Sequence, residues 1–311
     1  MLIPGLLLAA VLAAPSGARA EPPAPSAALA RARAAHEAGR DDEAAAIVAA
    51  EAEKGSAQAQ FWLGIAYERG AGVPQDDGKA LEWFLKSALQ GSYPAAQKLG
   101  FLYSVGRGAA RDDDEAFRWY SKAVANPDAA DPHLSTAWSN LGNLYFRGLG
   151  TAKDLKKARD CYRKAAEMGN AYAQNNLAYL YERGLGGPRD AAQALAWYRK
   201  AADQGLSSAQ GNVGVLYDEG RGPKRDPAQA LAWFRKAAEQ GDARAQARLG
   251  RAFERGYGAP KDLVEACRWY LLAAAGGDAR AAESLERLKT VLTPAQLAEA
   301  RRRAAAAGGG K

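Results

Sequence analysis

A period of 36 residues governs this chain. Written in rows that begin at Gly55, Gly91, His133, Gly169, Gly205 and Gly241, the sequence aligns position by position through six units. The tenth position reads Gly64, Gly100, Gly142, Ala178, Gly214 and Gly250, and the thirteenth reads Tyr67, Tyr103, Tyr145, Tyr181, Tyr217 and Phe253. The sixteenth and eighteenth positions are glycine in every row, from Gly70 and Gly72 to Gly256 and Gly258. Most of the 33 glycines among 311 residues fall at these positions. The glycine excess is therefore repeat punctuation, not low complexity. A six-residue insertion, Pro127 to Pro132, parts the second row from the third and is expected to bulge as a loop.

Each row reads as two helices. In the fourth, 171–183 carries Ala173, Leu177, Leu180 and Tyr181 at helical spacing and stops at Gly184, where glycine can take the left-handed terminal conformation. The second helix opens on an aspartate in all six rows: Asp76, Asp112, Asp154, Asp190, Asp226 and Asp262. Pro227 follows Asp226 as a favoured first-turn residue, and Asp112 with Glu115 and Asp262 with Glu265 have the spacing of a capping box. These aspartates read as helix caps, not catalysts. Each second helix then carries an adjacent pair such as Trp83-Phe84, Trp119-Tyr120 or Trp197-Tyr198, with Cys161-Tyr162 in the third row. A helix pair of this size cannot bury its own apolar face, so neighbouring pairs must stack and share one core. Small residues at the tenth position and at Ala80, Ala116, Ala158, Ala194, Ala230 and Ala266 allow close approach of the helix axes. The expected fold is all-α, a right-handed α-solenoid.

The string Leu177, Ala178, Tyr181, Gly184, Gly186, Asp190, Ala194, Trp197, Tyr198, Lys200, Ala201, Ala202 resembles the Sel1-like repeat, a relative of the tetratricopeptide repeat. The resemblance covers 55–276. It implies stacked helix-turn-helix repeats that hold a partner protein or peptide on a concave face. Residues 21–54 read as a flexible lead-in followed by a degenerate N-terminal capping repeat. Residues 277–311 read as C-terminal capping helices, one beginning at Asp278 and one capped by Thr293-Pro294, with a basic tail.

Residues 1–20 have a different character. The apolar run Leu6 to Ala14 is broken by Pro15-Ser16-Gly17 and followed by Ala18-Arg19-Ala20, the pattern of a cleavable signal peptide. The run is shorter than the ~20 residues of a membrane span, so no transmembrane segment is expected. Cleavage is expected after Ala20, and the protein is expected to be periplasmic or secreted. No cysteine follows the run to carry a lipid.

Catalytic constellations are missing from the sequence. His36 and His133 lack a metal-binding partner spacing, and neither G-x-S-x-G nor S-x-x-K occurs. The two cysteines, Cys161 and Cys267, lie three repeats apart, too far to bridge, and read as buried free thiols. Secreted cysteine-rich relatives bind or hydrolyse β-lactams, which raises the alternative of a cell-wall or β-lactam-acting enzyme. Those relatives carry a cysteine pair in each repeat, and this chain does not. The expectation is a non-enzymatic protein without cofactor or metal.

Net charge is +7, but its placement matters more. The stretch 280–311 holds seven basic and three acidic residues, including Arg301-Arg302-Arg303, which leaves the repeats nearly neutral. A nucleic-acid partner would want a basic stripe along the array, so none is expected. The basic C-terminal tail could make weak contact with anionic surfaces.

What remains is surface shape. The expected partner is a protein or peptide of the cell envelope, held by an exported scaffold or adaptor, with polysaccharide binding as a further alternative. In related tetratricopeptide arrays the first helices line the concave surface. Aligned on that pattern, row positions 4, 7, 11 and 14 fall on this face: Thr136, Ser139, Asn143 and Phe146 in the third row, and Tyr172, Asn175, Tyr179 and Glu182 in the fourth. Their spacing keeps them on one helical stripe, and Phe101 extends it from the second row. The candidate binding residues are Phe101, Asn143, Phe146, Tyr172, Asn175, Tyr179 and Glu182, which mix aromatic anchors with amide donors and acceptors.

Overall fold

The computed structural model describes residues 26–125, 134–222 and 224–308. The expected signal peptide and the start of the expected lead-in, the insertion Pro127 to Pro132, His133 and Lys311 lie outside the described residues. Among the described residues all regular structure is helical.

Two compact units divide the chain, Met1–Lys153 and Asp154–Lys311. The first holds α1 (Ala27–Glu37), α2 (Asp41–Glu53), α3 (Ala57–Arg69), α4 (Asp77–Leu89), α5 (Tyr93–Val105), α6 (Asp113–Val124) and α7 (Ser135–Arg147). The second holds α8 (Leu155–Glu167), α9 (Ala171–Arg183), α10 (Ala191–Asp203), α11 (Ser207–Glu219), α12 (Pro227–Glu239), α13 (Ala243–Arg255), α14 (Leu263–Ala275), α15 (Ala279–Lys289) and α16 (Pro294–Gly308). In each unit a helix packs against its neighbours in sequence, except that α16 passes over α15 and packs on α14. The division falls between the two helices of the third repeat, not at a predicted boundary. This is an α-solenoid whose helix pairs give way at the C-terminal end to α15 and α16, which each pack on α14.

Glycine writes the ends of the first helices. All six stop at the sixteenth-position glycine in the left-handed region, with φ between 65° and 74°. The eighteenth-position glycine is needed for a second reason. A Cβ at Gly72, Gly108, Gly150 or Gly186 would lie 2.0–2.2 Å from the carbonyl oxygen of Asp41, Asp77, Asp113 or Leu155, at the start of the preceding repeat's second helix. Only a residue without a side chain lets the turn close on that helix.

Aspartate writes the starts of the second helices. Asp76, Asp154, Asp190 and Asp226 each accept from the backbone N–H three residues on, at 2.9 Å, while Asp112 and Asp262 each accept from two. The reciprocal arm of the expected capping boxes is not made. The N–H of Asp112 donates to the Tyr103 carbonyl and that of Asp262 to the Phe253 carbonyl, while Glu115 and Glu265 pair with Arg118 and Arg268. A two-way box forms instead at Thr293 and Gln296.

The core sits under the second member of each aromatic pair. Phe84, Tyr120, Tyr162, Tyr198, Phe234 and Tyr270 are all buried, and the small tenth position makes room for the ring of its own repeat. A Cβ on Gly100 would lie 2.8 Å from Tyr120, and one on Gly214 would lie 2.6 Å from Phe234. The first member is more varied. Trp83, Trp119 and Trp269 are buried, whereas Trp197 and Trp233 are half-buried, each under a lysine ammonium one helical turn on, Lys200 at 4.0 Å and Lys236 at 4.2 Å. Tyr198, not Trp197, is the core anchor of the fourth repeat.

Candidate functional site

The first helices carry the residues singled out for binding. In the first unit α5 presents Phe101, 39% exposed. On α7, Asn143 and Phe146 are half-buried, Thr136 is exposed and Ser139 is buried, and the Lys153 ammonium lies 6.0 Å from the Phe146 ring. In the second unit α9 presents Tyr172, 68% exposed, and Tyr179, 39% exposed. Between them Asn175 is half-buried and its Oδ1 accepts from Asn212 Nδ2 at 3.0 Å. Tyr172, Asn175, Tyr179 and Glu182 therefore share one face of α9, and Asn143 and Phe146 share one face of α7.

Glu182 has an internal role as well. One carboxylate oxygen accepts from the Tyr198 hydroxyl at 2.9 Å, and the other takes Arg221 Nη1 of the next repeat at 2.6 Å. Burial and this neighbouring carboxylate both push the Tyr198 hydroxyl far above the usual tyrosine range. The fourteenth position repeats the arrangement: Glu68 pairs with Lys98 at 2.7 Å, Asp218 with Arg248 at 3.3 Å, and Glu254 takes the Tyr270 hydroxyl at 2.7 Å. Most of these contacts tie one repeat to the next.

A second polar device went unread in the sequence. Gln60, Gln174, Gln210 and Gln246 are buried, and each Nε2 donates to a carbonyl at the end of the preceding second helix: Ala52, Ala166, Ala202 and Ala238, at 3.0–3.2 Å. Three of them also accept from a glutamine 30 residues on, Gln90, Gln204 and Gln240, at 2.7–2.8 Å. Each of these carbonyls also accepts the backbone N–H of the glycine three residues on, at 2.9–3.1 Å, so the amide fills the second acceptor site of a helix-end carbonyl buried in the interface. The recurrence of glutamine at the sixth row position was the signal for it.

The chemistry these residues offer is recognition. Both cysteines are free and buried, and burial pushes the Cys161 thiol up to about 12, away from a reactive thiolate. The Cys267 thiol is raised for the same reason. His36 pairs with Asp41 at 2.5 Å beside an apolar groove of about 340 Å³ in the first unit, but no serine, threonine or cysteine lines that groove to complete a nucleophilic set. Among the described residues no group of three or more His, Cys, Asp or Glu side chains is placed to hold a metal ion. Among the described residues, too, no helix is long and apolar enough to cross a membrane.

Comparison with known proteins agrees with the repeat register. The Sel1 repeat family model matches six segments, 57–92, 94–128, 139–170, 171–206, 207–242 and 243–278. Among solved structures, the chain is similar to a protective antigen present in uropathogenic Escherichia coli strains that displays an SLR fold. Identity is 32% and the TM-score 0.77, over 90% of this chain and 61% of the antigen. It thus spans about three fifths of that protein's length. A Sel1 repeat protein from Oxalobacter formigenes is 28% identical with a TM-score of 0.69, over 80% of this chain and 97% of the other. No curated protein matches the sequence.

Proposed function

The chain belongs to the Sel1 repeat family, whose repeats mediate protein–protein interaction, and from that premise we propose that it is an exported, non-enzymatic scaffold that holds a partner protein or peptide on the faces of its first helices. The observation that carries this reading is the exposure of Tyr172, Tyr179 and Phe101 on helices whose opposite faces are locked into the core. An aromatic ring held on a rigid helix offers large contact area at low entropic cost, and neighbouring Asn143 and Asn175 add polar specificity.

The test is the double variant Tyr172→Ala with Tyr179→Ala, assayed for partner capture beside circular dichroism and thermal unfolding. The reading expects a folded protein of unchanged stability that loses at least tenfold in affinity. Unchanged binding by the folded variant would remove this patch from the interface.

Export to the periplasm or beyond rests on the Leu6 to Ala14 run and the Ala18-Arg19-Ala20 site. The likeness to a protective antigen of uropathogenic bacteria supports it. Amino-terminal sequencing of protein from the cell envelope should read from Glu21. Recovery of full-length protein in the cytosol alone would contradict it.

A further inference from the structure

Along α11, α13 and α15 the second unit carries a groove of about 840 Å³ lined by six arginines, Arg244, Arg248, Arg251, Arg255, Arg280 and Arg287. Four carboxylates share it, Asp242, Glu254, Asp278 and Glu283. The pairing is uneven. Arg248 reaches Asp218 at 3.3 Å, Arg244 reaches Asp242 at 3.7 Å, and Arg287 reaches Glu254 at 3.5 Å. Among the described residues no carboxylate lies within ion-pair distance of Arg251, Arg255 or Arg280, and all three are exposed. Arg251 occupies the eleventh row position, the station that Tyr179 holds on α9.

One charge of the groove, that of Arg248, is held where water screens it poorly. The Arg248 guanidinium lies 5.4 Å from the centroid of the Phe234 ring, and its burial, with the like charge of Arg251 beside it, pulls its pKa below the usual arginine value despite Asp218. The repulsion between the adjacent Arg248 and Arg251 guanidiniums is relieved by an incoming anion, and arginine recognises a carboxylate with two parallel hydrogen bonds.

We propose that this groove docks an acidic, extended segment of a partner protein, with Asp or Glu carboxylates received by Arg251, Arg255 and Arg280. The proposal rests on the reading that the first-helix faces bind a protein partner, and adds the chemistry of that partner. The composition of the groove selects a peptide over a polyanion. Asp278 and Glu283 would repel a chain charged at every unit, whereas a peptide can set its carboxylates apart. Val215 and Ala247 offer apolar contact, and Ser208 and Asn212 offer hydrogen bonds to a peptide backbone.

The experiment selects randomised octapeptides displayed on phage against the immobilised full chain at low ionic strength, then measures the selected peptides by fluorescence anisotropy. The expected result is enrichment in Asp and Glu, with affinity falling at least tenfold for Arg251→Gln with Arg280→Gln and partly retained by Arg251→Lys. Both arginines are exposed, so circular dichroism and the urea midpoint should match the parent. Selected peptides without acidic enrichment, indifferent to the arginine variants but lost with Tyr172→Ala and Tyr179→Ala, would overturn the groove and leave the first-helix reading standing. A heparin fragment or DNA oligonucleotide that binds more tightly than any selected peptide, with the same arginine dependence, would overturn the peptide assignment. A selection that enriches nothing would overturn the proposal.

Discussion

Two glycines with the same backbone sign separate conformation from contact. Gly91 has φ +91° with nothing within 4 Å of a Cβ placed on it, whereas Gly108 has φ +76° and its Cβ would sit 2.2 Å from the Asp77 carbonyl oxygen. Gly91→Ala should cost only the left-handed strain of about 1–2 kcal/mol. Gly108→Ala adds an unavoidable backbone clash, so its urea midpoint should fall clearly further; equal midpoints would show that the turn does not close on α4. The buried tyrosines make a second prediction. Burial raises Tyr120 from its ordinary value of 10.0 to about 12, and Tyr198 and Tyr270 are raised by burial and a neighbouring carboxylate. In the unfolded chain these hydroxyls ionise near pH 10, in the folded chain only above it, so their contribution is complete below pH 10 and is lost as pH rises toward 12 and beyond. Stability should therefore drop by about 3 kcal/mol for Tyr120 alone across pH 10–12. A Tyr120→Phe variant should soften that decline in urea titrations, and an unchanged alkaline limb would contradict the burial.

At the scale of the helix, caps and interfaces make separable contributions. Asp226→Ala removes the acceptor for the Gln229 N–H and should cost about 1 kcal/mol, with Asp226→Asn restoring most of it. Gln210→Ala should cost more, about 2–3 kcal/mol, because it removes two hydrogen bonds at once from the interface between repeats, the one to the Ala202 carbonyl and the one from the Gln240 amide. A urea midpoint for Gln210→Ala no lower than that for Asp226→Ala would show that the amide ladder does not hold the stack. This contrast also marks what the sequence made legible. Caps at Asp76 to Asp262 and stops at Gly70 to Gly256 are local, so spacing alone exposes them. The glutamine ladder joins residues 30 apart through a stacking that exists only once the helices pack, and the recurrence was visible without its meaning. The same holds for Glu182, whose stripe position was readable while its bonds to Tyr198 and Arg221 were not. The recurrence of the pair Trp197-Tyr198 marked it as packing, but which ring goes inside was not legible: Tyr198 is buried and Trp197 half-buried.

For the molecule, the repeat register turns a one-dimensional pattern into two stacks whose first helices keep polar and aromatic side chains outward. The candidate face was legible as positions 4, 7, 11 and 14, because a helix of 3.6 residues per turn fixes which residues share a side. The arginine groove was not, since its lining is gathered from five successive helices, α11 to α15, across 208–287. The central claim is that the first-helix faces are where the partner sits. It is tested most directly by placing a photo-reactive benzophenone side chain at Phe101, Tyr172 or Tyr179, and at the exposed second-helix positions Ala196 and Ala232, then irradiating living cells. The account predicts a discrete protein adduct from the three first-helix positions and none above background from Ala196 and Ala232. Adducts confined to the second-helix positions, or equally strong from both sets, would contradict it.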